Sequence, residues 1–348
     1  MIVNRASQTV TFWHLKNGYK ITIAREAVAA RIVFATFAQR RASSILQFCC
    51  AIARMAAFAK FWSLTLMRTY RLVIACPDRV GIVAKVSNFL ASHNGWITEA
   101  SHHSDNLSGW FFMRHEIRAD SLPFGIEAFR EAFAPIAEEF SMDWRITDTE
   151  QKKRVVLMAS RESHCLADLL HRWHSDELDC EISCVISNHD DLRSMVEWHG
   201  IPYYHVPVNA QDKEPAFAEV SRLVKQHDAE VVVLARYMQI LPPALCSEYA
   251  HKVINIHHSF LPSFVGAKPY HQASLRGVKL IGATCHYVTE ELDAGPIIEQ
   301  DVVRVSHSDS IEDMVRFGRD VEKMVLARGL RYHLEDRVLV HGNKTVVF

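Results

Sequence analysis

Val253-Ile254-Asn255-Ile256-His257 runs into His258-Ser259-Phe260-Leu261-Pro262, a short apolar stretch that breaks at once into polar residues and a proline. Such a run reads as the end of a buried strand. It is one of a series. Comparable strands are expected at 155–159, 181–188, 203–206, 230–235 and 279–288, with helical spacing between them, as at 165–174 and 215–227. Strands separated by helices point to an α/β fold with a doubly wound, mostly parallel sheet. Ligands of such sheets bind beyond the carboxyl ends of the strands, where Asn255 and His257 fall. Side chains alternate along a strand, so Asn255 and His257 are expected on one face and His258 on the other.

These residue types suggest a chemistry. An amide can donate to a carbonyl oxygen, an imidazole can carry a proton, and a carboxylate can orient or accept one. The carboxylate is Asp293, in the turn Leu292-Asp293-Ala294-Gly295-Pro296. Together, Asn255, His257 and Asp293 are a kit for acyl transfer without a serine or cysteine nucleophile. Two further segments stand near strand ends. Arg236-Tyr237-Met238-Gln239-Ile240-Leu241 follows a buried strand, and as bare sequence its Met238 and Leu241 would be core. His286, inside an apolar run, fits a core histidine bonded to backbone equally well. No metal centre is expected. There is no His-Glu-x-x-His, His164, His171 and His174 form no recognised ligand set, and the eight cysteines lack paired zinc spacing. Cys180 and Cys184 come nearest, and they read as flanking a buried strand.

Upstream, residues 68–148 read as strand, helix, two strands, helix, strand, a βαββαβ ferredoxin-like order. Asp105-Asn106-Leu107-Ser108-Gly109 marks a hairpin, and a charged linker, Glu150 to Arg154, precedes the switch to alternating strands and helices. Residues 1–66 stand apart. They carry nine Lys and Arg against the single acid Glu26, so this segment is +8 and the rest −9, within a formal net charge of −1. That composition fits a basic extension ahead of a native start at Met67, or a targeting segment. The acidic body does not suggest a nucleic-acid partner. No run of about eighteen uninterrupted apolar residues suggests a membrane span. Scattered cysteines fit a reducing, cytoplasmic compartment, or an organelle if residues 1–66 are a transit peptide.

The string from Asn255 to Tyr270 resembles the active-site loop of the folate-dependent formyltransferase family. His258 and Gly266-Ala267-Lys268-Pro269-Tyr270 look most like its deformylase branch, and the likeness runs over nearly all of residues 70–348. Cys76-Pro77-Asp78-Arg79-Val80-Gly81, with the βαββαβ order, resembles an ACT domain. The resemblance implies an ACT-like regulatory domain at 67–150 and a formyltransferase-like catalytic domain at 151–348. It makes Asn255, His257 and Asp293 catalytic. It assigns Arg236, Tyr237, Met238, Gln239, Ile240, Leu241, His258 and His286 to binding of the folate. An amino-acid effector, glycine or methionine, would bind at Asp78 and Gly81, and the chain would be a homo-oligomer. Asp78 and Gly81 could equally serve only to cap the following helix.

The acceptor is read from the first strand-to-helix loop, Ser160-Arg161-Glu162-Ser163-His164-Cys165. A sugar phosphate needs glycines there so that backbone amides can approach it, and no glycine occurs from Ile126 to His199. Water is then the acceptor, and the implied reaction is hydrolysis of 10-formyltetrahydrofolate to formate and tetrahydrofolate, with no cofactor. It would supply formate and balance one-carbon folate pools. The alternatives are formyl transfer to an amine such as glycinamide ribonucleotide, and a non-catalytic folate- and amino-acid-sensing protein.

Overall fold

The computed structural model describes residues 2–4, 9–14, 19–24, 68–263 and 269–348. Residues 1–66 and 67–348 form two separate compact units. In the first, strands β1 (Ile2–Asn4), β2 (Thr9–His14) and β3 (Tyr19–Ala24) make an antiparallel sheet in that order. The rest of that basic segment, and Gly266-Ala267-Lys268 of the loop motif, lie outside the described residues.

The second unit opens with β4 (Thr69–Pro77), α1 (Ile82–Ser92), β5 (Ile97–Asp105), β6 (Trp110–Arg118), α2 (Ile126–Glu139) and β7 (Asp143–Asp148). The strands pair antiparallel in the order β5-β6-β4-β7. Alternate residues of β4, such as Leu72, Ile74 and Cys76, pack on Val86 and Leu90 of α1 and Phe129 and Phe133 of α2. Residues of opposite parity, Val73 and Phe112, face the other way and are covered by Leu339 near the C-terminus. A two-residue strand period therefore gives this small sheet two buried faces.

Next come β8 (Lys153–Ala159), α3 (His164–His174), β9 (Cys180–Ser187), α4 (Arg193–Trp198), β10 (Tyr203–His205), α5 (Glu214–Gln226), β11 (Val231–Leu234), α6 (Pro243–Glu248) and β12 (Val253–His257). After α7 (Pro269–Arg276) follow β13 (Leu280–Tyr287), β14 (Ile297–Arg304), the long α8 (Ile311–Leu334) and a hairpin of β15 (Val338–His341) and β16 (Lys344–Val347). The seven-stranded order is β10-β9-β8-β11-β12-β13-β14. Helices cover both faces: α3 and α8 on one, α5 and α6 on the other.

The sheet is mostly parallel, as expected, with one departure. β13 runs antiparallel to both β12 and β14. Its link to β14 is only the turn after Tyr287, too short for the crossover that a parallel pair needs. The chain leaves β8 toward β9 on one side and returns to β11 and β12 on the other. The crevice beyond β8, β11 and β12 is thus the switch point of the sheet.

Candidate active site

Three loops wall that crevice. The first, after β8, is tied to the second by Ser160, whose hydroxyl donates to Asn188 Oδ1 at 2.7 Å and accepts from the Met238 N–H at 2.9 Å. The second, after β11, starts at Arg236, whose φ of 64° puts a non-glycine residue in the left-handed region. Such strain persists only where surroundings enforce it. Tyr237 and Leu241 pack into the core while Met238 and Ile240 are 54% and 63% exposed. Leu241 is therefore core, as bare sequence suggests, and Met238 is not. The third loop follows β12. A cavity of about 350 Å³ opens between the second and third loops and the turn after β13, lined by the whole 236–241 segment and by Asn255, His257, His258, His286 and Asp293. Its size is that of a small-molecule site, with apolar walls and a cluster of polar groups.

Asn255, His257 and Asp293 converge on the floor of this cavity. His257 is buried, and its Nδ1 lies 3.3 Å from Asp293 Oδ2. Its Nε2 is buried without a hydrogen-bond partner. A polar atom left unpaired in the interior is costly unless something else meets it. Asp293 occupies a left-handed turn position at φ 55°, which aspartate tolerates better than most residues. Burial pushes its carboxyl up, but the hydrogen bond from His257 and the nearby histidine charge outweigh that and hold it below its ordinary value. It is ionised at neutral pH.

His286 proves to be both things at once, a core histidine bonded to backbone and a neighbour of the site. Its Nδ1 lies 2.9 Å from the Tyr287 carbonyl, so it must donate there. In a neutral ring Nε2 is then the acceptor, and burial favours the neutral ring. Asn255 Nδ2 sits 3.2 Å from that Nε2. One amide hydrogen of Asn255 is thereby fixed, and the other is left for the cavity.

His258 corrects the alternation expectation. The strand ends at His257, so the next side chain is not bound to the opposite face. His258 lines the same cavity, its ring centroid 5.2 Å from that of His257 and 6.2 Å from that of Tyr270. Burial, and then the Arg236 cation, push its pKa to about 4.

One residue was invisible from sequence. Glu322, in the middle of α8, is 1% exposed and meets His164 Nε2 at 2.8 Å, the Tyr270 hydroxyl at 2.6 Å and Arg236 Nε at 3.3 Å. The available signal was an acid on an apolar stripe, beside Met314, Gly318, Val321 and Val325. His164, Cys165 and Glu322 come close enough to suggest metal ligands. The set does not fit a cation, because a guanidinium already faces the carboxylate and His164 Nε2 is taken up by a hydrogen bond to it.

In the small domain, Asp78 and Gly81 share the first loop. Gly81 is the N-cap residue of α1 at φ 98°. The Asp78 carboxylate does not cap the helix; it accepts from Ser104 of β5.

Residues 153–330 match the formyl transferase family. A formyltetrahydrofolate deformylase of Corynebacterium is 49% identical over 276 residues, which are 79% of this chain and 96% of that protein. The crystal structure of a formyltetrahydrofolate deformylase from Pseudomonas syringae is 86% identical, covers 85% of this chain and 99% of its own, and superposes with a TM-score of 0.82. A phosphoribosylglycinamide formyltransferase from Anaplasma phagocytophilum is 32% identical over 57% of this chain, with a TM-score of 0.52.

Proposed function

The chain belongs to the formyltetrahydrofolate deformylase family, and from that premise we infer that it hydrolyses 10-formyltetrahydrofolate to formate and tetrahydrofolate. The observation that carries the mechanism is the asymmetry of His257, anchored through Nδ1 to an ionised Asp293 while Nε2 is buried and unpartnered at the cavity floor. The free Asn255 hydrogen donates to the formyl oxygen. Asp293, coupled to His257, orients a water and helps take its proton as the oxygen attacks the formyl carbon. The carbonyl π bond becomes an oxyanion stabilised by Asn255. Collapse breaks the bond from carbon to the folate nitrogen, which leaves protonated by way of His257. Formate departs, and one proton is released overall.

Tyr237 to Leu241 take the flat pterin, with Met238 and Ile240 as apolar cover and main-chain groups reading its edge. Arg236, His258 and His286 complete the wall. The folate is the substrate, and no resident cofactor or metal is needed for these steps. We further propose that an amino acid, glycine or methionine, binds at the Asp78–Gly81 loop. The same reading makes the protein a homo-oligomer, supported by the long, largely exposed edge strand β5. Among the described residues, six buried free cysteines suit a reducing cytoplasm. Among the described residues no helix is long and apolar enough to cross a membrane.

The test is formate release from 10-formyltetrahydrofolate, with and without glycinamide ribonucleotide. Equal formate and tetrahydrofolate without an amine is the expected result. Release that requires the amine, or tight folate binding with no turnover, would overturn it.

A further inference from the structure

The four groups of the Glu322 cluster come from four separate places in the sequence. Glu322 stands on α8, His164 is the first residue of α3, Arg236 opens the 236–241 loop, and Tyr270 lies in the first turn of α7. Arg236 belongs to the loop that lines the cavity, and Tyr270 packs behind it against His258, with ring centroids 6.2 Å apart. Taking a carboxylate out of water costs several kcal/mol unless its lone pairs are filled. Here His164 and Tyr270 each supply a hydrogen bond, and Arg236 adds an opposite charge at 3.3 Å. The result is an ionised Glu322: burial pushes its carboxyl up, and the hydrogen bond from His164 and the Arg236 charge bring it below its ordinary value.

The fit around it is tight. Gly318 lies one turn before Glu322, and a Cβ there would sit 2.0 Å from the Tyr270 hydroxyl oxygen. Only glycine lets the tyrosine lie across the helix and reach the carboxylate. Arg236 carries the left-handed backbone that turns the chain from β11 into the binding loop, and its Nε is buried facing Glu322. Glu322 is thus an opposite charge that draws the Arg236 side chain inward.

We propose that Glu322 is a positioning residue for the hydrolysis, which through Arg236, Tyr270 and His164 holds the 236–241 loop and the His258 side of the cavity at the right distance from Asn255 and His257. This rests on the reading of the cavity as the folate site. It does not make Glu322 a catalytic residue, since Glu322 does not line the cavity and meets it only through Arg236. Loss of its charge should weaken folate binding first, because the loop it sets reads the pterin, and slow turnover less.

A double-mutant cycle tests this on full-length protein with 10-formyltetrahydrofolate as substrate. Glu322→Gln, Arg236→Gln and the double variant are compared with the parent in kcat, KM and melting temperature. Glu322→Gln is expected to lower kcat/KM about thirtyfold, mainly through KM. The double variant should be no worse than the poorer single, since both remove one contact. Multiplying losses would overturn the proposal, as would a lowered melting temperature with kcat/KM per folded site within about twofold of the parent. If Glu322→Gln does not fold, Tyr270→Phe and His164→Gln each leave the carboxylate facing Arg236. Each should raise KM about fivefold, the size of one lost hydrogen bond, and an unchanged KM in both sinks the idea. A parent protein that releases no formate would instead condemn the functional reading.

Discussion

The guanidinium of Arg114, on β6, donates through Nε and Nη2 to the carbonyl oxygen of Glu335, the C-cap residue of α8. Arg114 is 2% exposed, paired on its other side with Glu99 and Glu116. The last carbonyls of a helix have no partner within it, and cations are favoured there. Arg71 supplies another contact, to the Leu334 carbonyl, and Lys153 reaches those of His333 and Leu334. The β5-β6-β4-β7 sheet and the start of β8 therefore share the end of one helix.

Arg114→Ala should cost on the order of 3 kcal/mol, the low end for breaking a buried pair, because Glu99 is half exposed. Urea unfolding would show it as a lower midpoint in a single transition. A change under about 0.5 kcal/mol, typical of surface sites, would mean that the contact is dispensable. Deletion of residues 1–150 should be worse and give insoluble protein, since it strips Thr147 from the buried Asp336 and uncovers Leu339.

Asp293→Asn keeps size and removes charge, so folding and binding of a non-hydrolysable folate analogue should survive while formate release falls at least about a hundredfold. Asn255→Ala should lose roughly a hundred- to a thousandfold. Because the Asp293 carboxyl is held below its ordinary value, the acid limb of activity that it causes must lie below the usual carboxylate range. Near-parent turnover by Asp293→Asn would leave Asp293 as a turn residue only.

His286→Phe should lower kcat about tenfold at nearly constant KM, since it frees the Asn255 amide to rotate without removing it, a smaller loss than an absent oxyanion donor. His286→Gln, which can still accept from Asn255, should recover part of that. Steady-state kinetics decide it: a pure KM effect would show that His286 only walls the folate site and does not hold Asn255 for catalysis.

Stability should fall on mild acidification. His115 is buried, with Nε2 2.8 Å from His102 Nε2, so one proton serves both rings. Burial and then the His102 charge push its pKa down from 6.5 to about 4. Burial and the Lys153 charge push that of His333 to about 3. Between pH 6.5 and 4 the unfolded chain binds protons that the folded chain refuses, so stability is complete above the unfolded value and drains as pH falls. Each histidine contributes up to about 1.4 kcal/mol per pH unit. Buried Asp336, held below its ordinary 3.8, is lost only at lower pH and does not enter this window. Urea midpoints at pH 7.5, 6 and 5 measure it, and a flat profile would contradict the assignment.

Local sequence determined much of this protein. Apolar runs of four to ten residues and their helical spacers mark the strands from β4 through β13 and helices between them, because burial period is a property of consecutive residues, whereas β1 to β3 carry no such mark. Asn255 and His257 are close in space because they are close in sequence. Asp293 could be picked out only by its turn and its likeness to a family. The tertiary structure alone decided the rest. β13 runs against β14 because the link between them is too short for a crossover, and β14 has no apolar period to mark it. His258 faces the cavity because the strand ends one residue earlier. Glu322 joins the site across 158 residues from His164 and 52 from Tyr270. A buried charge is defined by what surrounds it, and its surroundings come from segments that only folding brings together.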